Sequence, residues 1–103
     1  MYATTPDTRT PRELAEELNA MRHDMLDAAD RAELVTDHEE RLRAATQVAF
    51  VATLAFAGNP DYIALALSWL DAGRRMLSVW ETRDMDAVHA SRLARRESSE
   101  AAQ

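Results

Sequence analysis

From Arg12 to Ala57 the chain contains neither glycine nor proline, and nowhere does it alternate apolar and polar residues with the period of two that a half-buried strand needs. Helix is the only periodic structure this pattern supports, so the predicted fold class is all-α. A chain of 103 residues has room for one hydrophobic core. The expectation is therefore one small helical bundle over residues 11–96, with disordered tails at 1–10 and 97–103.

Helix boundaries follow from capping chemistry. Thr10-Pro11-Arg12-Glu13 reads as a start: a capping hydroxyl, a proline suited to the first helical position, and a glutamate placed to close back on the cap. From there Leu14, Leu18, Met21, Met25, Ala28, Ala32 and Val35 recur at steps of four and three, the spacing of a narrow coiled-coil seam. A second capping pattern, Thr36 with Glu39, predicts a break near Val35–Asp37. Were the helix continuous instead, its seam would pass through Glu39 and resume at Leu42, Ala49, Thr53 and Phe56. Helix 2, from Asp37 to Ala57, is apolar on all sides over its second half and is expected at the centre of the bundle.

Gly58-Asn59-Pro60-Asp61 is the strongest punctuation in the chain. It offers a left-handed C-terminal glycine, a capping asparagine and a first-turn proline, and so predicts a tight αα-hairpin. Helix 3 is expected from Pro60 to about Thr82. Ile63, Ala66, Leu67, Leu70, Gly73 and Leu77 share one face, while Leu65, Trp69, Ala72, Met76 and Val79 form a second stripe, with Trp80 between the two. Gly73 inside the helix costs about 1 kcal/mol relative to alanine and points to the close approach of another helix. Asp84 is placed to cap a short fourth helix, Met85 to Arg96. In outline the chain is similar to small helical secretion substrates with a Trp-x-Gly turn, but its own turn lacks that motif.

Composition removes whole classes of chemistry. There is no cysteine, hence no disulfide, thiolate nucleophile or cysteine-held metal, and all twelve basic residues are arginine, hence no Schiff-base lysine. His23 with Asp27, and Asp86 with His89, have helical spacing that a metal site uses, yet the core positions are Leu, Ala, Val and Phe rather than Glu. Neither a metal site nor a cofactor is expected. No Ser or Thr stands beside a base near a sharp turn, so no catalytic residue is expected and the chain reads as non-enzymatic. A net charge of −6 disfavours direct nucleic-acid binding and an anionic membrane surface. Ala44 to Ala57 is too short to span a bilayer, and the polar start carries no secretory pattern, so the expected location is the cytoplasm.

What remains is recognition of another protein. The second stripe of helix 3, Leu65, Trp69, Met76, Val79 and Trp80, exceeds what a small core needs and is one candidate surface, for a partner protein or for homodimerisation. The other is acidic: from Glu13 to Glu40 ten acids face two arginines, with Glu13, Glu16, Glu17 and Asp24 as the candidate contacts. The main expectation is a homodimeric regulatory or interaction protein. The alternative is an acidic inhibitor that occludes the nucleic-acid site of a defence or processing enzyme, of the anti-CRISPR or anti-restriction type.

Overall fold

The computed structural model describes residues 9–101, and among these it contains three helices and no strand: α1 (Pro11–Arg31), α2 (Val35–Phe56) and α3 (Pro60–Ala101). Residues 1–8 and 102–103 lie outside the described residues, and with them most of the predicted N-terminal tail. α1 starts where its capping residues place it. Thr10 Oγ1 accepts from the Glu13 backbone N–H at 3.1 Å, and Pro11 takes the first turn. Its seam of Leu14, Leu18, Met21, Met25 and Ala28 is buried, mostly against α2.

The break between α1 and α2 comes earlier than the capping pattern predicts. α1 ends at Arg31, Ala32-Glu33-Leu34 link the helices, and Leu34 precedes α2 without any side-chain cap bond. Thr36 and Glu39 lie inside α2 and mark no boundary. The reason is tertiary. The Ala28 carbonyl, which the next turn of a continuing helix would occupy, accepts instead from Arg41 Nη1 of α2, and the Ala29 carbonyl accepts from His38 Nδ1 as well as from the capping Ala32 N–H, the two side-chain bonds each at 2.7 Å.

This early turn changes which face of α2 is buried. Arg41, Ala44, Ala45, Val48, Val51, Ala52 and Ala55 face the core. Leu42, Phe50 and Phe56 are exposed, as is Val35 at 71%. α2 is therefore not the enclosed central helix that its composition predicts: one face packs and the other is open.

At the next turn Gly58 adopts φ +81°, a conformation that favours glycine, and Asn59 Oδ1 accepts from the Asp61 N–H at 3.0 Å. α3 then runs without interruption for 42 residues, about 63 Å at 1.5 Å per residue, close to the molecule's longest dimension of 65 Å. There is no separate short C-terminal helix, and residues 97–101, expected in a disordered tail, are helical. Glu81-Thr82-Arg83-Asp84 contains no breaker, so the helix continues through Asp84, whose carboxylate is engaged elsewhere. Ala66, Leu70 and Trp80 bury the first part of α3. A Cβ built on Gly73 would lie 2.4 Å from both Sδ and Cε of Met21, so α1 crosses α3 at this glycine. Every residue from Met85 to Glu100 is exposed.

Candidate functional site

The three helices meet at Arg41, whose side chain is fully buried. Its position follows from the register of α2, since it precedes Ala45, Val48, Ala52 and Ala55 at helical steps on the same face. A buried guanidinium is tolerable only if its donors and charge are met. Arg41 forks onto Asp84 of α3, with Nη2 donating to Oδ1 at 2.8 Å and Nη1 to Oδ2 at 3.0 Å. Nη1 also donates to the Ala28 carbonyl, and the guanidinium stands 5.4 Å from the Trp80 ring centroid, while Nε is buried without a hydrogen-bond partner, so the charge is met and one donor is not.

Asp84 feels further positive charge from Arg31, whose Nε lies 3.8 Å from Oδ2. The Arg41 hydrogen bond, reinforced by the charges of Arg41, Arg31 and Arg83 and opposed by partial burial, holds its carboxyl below the ordinary value of 3.8. An ionised carboxylate with both oxygens engaged is a poor proton acceptor for catalysis, and an arginine cannot give up its proton. This cluster locks α1, α2 and α3 together. Sequence reasoning missed it, although Arg41 lies in line with the apolar face of α2 and so announces a buried charge in search of a carboxylate. Nothing local points to Asp84, 43 positions further on.

The candidate surface on α3 is divided by the fold. Trp80 is buried at 3% exposure over Arg41. Trp69 and Met76 are half-buried against the core, whereas Leu65 and Val79 are exposed. On α1, Glu13, Glu16 and Asp24 are exposed, and Glu17 is half-buried, paired with Arg9 and 3.9 Å from Arg74. Asp24 joins Asp27, Leu77, Glu81 and Met85 around a cleft of about 550 Å³ between α1 and α3. His23 and His89 are exposed, and among the described residues no group of three or more His, Asp or Glu could hold a metal ion. No described helix is long and apolar enough to cross a membrane.

The outer face of α2 is an apolar surface that sequence reasoning did not single out for binding. Phe50 and Phe56 are 65% and 64% exposed. Thr46 and Thr53 donate their hydroxyls to the Leu42 and Ala49 carbonyls at 3.0 Å and so take up their own polar groups on the helix. Not one charged residue occurs from Ala44 to Pro60. The signal was the alternative seam through Leu42, Ala49, Thr53 and Phe56, which the fold turns toward solvent. No family model, no curated protein and no solved structure matches the chain.

Proposed function

We propose that the protein is a non-enzymatic, homodimeric interaction protein that works by binding and regulating another protein. The observation that carries this reading is the open apolar face of α2, with Phe50 and Phe56 each about two-thirds exposed on an uncharged stretch. Phe50 and Phe56 stand about 120° apart around α2, one on its outer side and the other beside the groove it forms with Ala15 and Asn19 of α1, and large aromatic residues left in solvent are the usual mark of an interface. Leu65 and Val79 of α3 supply further exposed apolar points. The test is affinity capture with the parent and with Phe50→Asp and Phe56→Asp, each shown by circular dichroism to keep its helicity. One protein retained at fixed stoichiometry by the parent and lost by both variants is the expected result. Equal retention by all three would refute the assignment.

A second reading rests on a different observation. Asp24, Asp27 and Asp30 are exposed, and among the described residues none has an ion-pair partner. They extend the acidic face that begins at Glu13 and Glu16, and such a face suits an inhibitor that occupies a cationic nucleic-acid site. Reversing Glu16, Glu17 and Asp24 together abolishes binding in that case, and the parent's binding falls steeply with salt. Binding indifferent to salt excludes it.

A further inference from the structure

From Met85 to Glu100 every residue of α3 is exposed, yet this segment is not uniformly polar. Leu77, Glu81, Met85, Val88, Arg92 and Arg95 follow at steps of three or four along one side of α3. The first four line the cleft beside α1 together with Asp84, and Asp24, Asp27 and Arg31 form the opposite wall, which stays acidic because Arg31 lies 3.8 Å from Asp84. Met85 and Val88 are exposed there. Beyond the cleft, among the described residues, Arg92 and Arg95 have no carboxylate partner, and the cleft's Glu81, Asp24 and Asp27 have no ion-pair partner. One molecule thus carries an acidic, apolar-floored cleft and a basic helical end that does not fold back into it.

We propose that the occupant of this cleft is the α3 end of a second copy, paired antiparallel about a twofold axis at Val88. The register is self-complementary. An axis at Val88 sets Glu81 of each copy opposite Arg95 of the other, Leu77 level with Ser99, and Val88 against itself, and brings Arg92 and Arg96 toward the α1 wall. An isologous contact requires this reciprocity, in which the same patch supplies both acid and base. A register shorter by about one turn would set Arg92 in place of Arg95 opposite Glu81 and Met85 against Val88, so Val88 against itself is the contact that distinguishes the proposed axis. The inference rests on the dimeric part of the proposed function and names its surface: the α3 end pairs copies and leaves the outer face of α2 open.

The absence of native cysteine makes a direct test available. Helices packed 8–10 Å apart bring facing Cα atoms at a twofold axis within disulfide range. Under mild oxidation, full-length Val88→Cys is expected to form a covalent dimer rapidly, whereas Val79→Cys, on another side of α3, is not. Sedimentation equilibrium supplies the second arm. Glu81→Arg weakens the dimer by about tenfold or more, since two reciprocal attractions become repulsions. Glu81→Arg combined with Arg95→Glu restores it. A monomeric parent overturns both the dimer and this surface. A parent dimer that ignores the charge swaps and cross-links no faster through residue 88 than through residue 79 overturns the surface and leaves the dimer standing.

Discussion

The two ends of α3 belong to one helix and live in different environments. Between Ile63 and Asp84 its inner face meets α1 and α2, Gly73 admits Met21, and Asp84 anchors Arg41. From Met85 the backbone continues unchanged while burial stops. The lesson is that helix length here is set by local propensity, with no glycine or proline to end it, whereas core length is set by how far the shorter α1 and α2 reach. Where helix outlasts core, the surplus is surface.

Cutting the anchor should have the largest effect on the packed half of α3. Asp84→Ala leaves Arg41 buried without its counter-charge and is expected to lower stability by about 3–5 kcal/mol, read by urea denaturation. Arg41→Met removes the charge as well as the pairing and should cost clearly less, because the long apolar side chain fills part of the space over Trp80. Equal losses from the two variants would show that the pair is not what holds the helices together.

The next effect is steric. Gly73→Leu forces a side chain into the space of Met21 and Met25 and is expected to cost about 1–3 kcal/mol. Gly73→Ala gains helix propensity and displaces only the tip of Met21, so its loss must be smaller than that of leucine.

pH reads the same anchor more gently. Because the folded state holds the Asp84 carboxyl below its ordinary 3.8, the ionised form stabilises the fold above that value, and the contribution disappears as pH falls through the lowered one. The stability difference between the parent and Asp84→Asn should be flat from neutral pH to about 5 and shrink progressively below about 4. A difference that stays constant down to pH 2 would contradict the ion pair. The smallest effect is expected at the bare end: removing residues 87–103 should change the stability of the three-helix core by no more than about 0.5 kcal/mol when measured at concentrations where copies do not pair.

Much of this architecture was readable beforehand, and the failures have specific causes. The start of α1 at Thr10-Pro11 and the turn at Gly58-Asn59 rest on chemistry contained within a few residues, and such local signals survive into the fold. The α1 to α2 break was displaced because its cause is distant: Arg41 and His38 claim the carbonyls that a continuing helix would use, while the Thr36 to Glu39 pattern has no role at the boundary. Asp84 looked like a cap because nothing nearby reveals that its carboxylate belongs to Arg41. Trp80 looked like surface for the same reason, since the guanidinium that it covers comes from another helix. Of the candidate binding surfaces, the acidic residues of α1 were legible from charge alone. The open face of α2 was hidden by its own hydrophobicity, which reads as core until the packing register is known.

Amide hydrogen exchange along α3, followed at increasing protein concentration, measures both ends of the comparison at once. Slow exchange from about Ile63 to Asp84 at every concentration is expected, with residues 85–101 exchanging rapidly in dilute solution and becoming protected as copies pair. Rapid exchange beyond Met85 that concentration does not alter would contradict the paired helix end, and protection lost well before Asp84 would contradict the anchor itself.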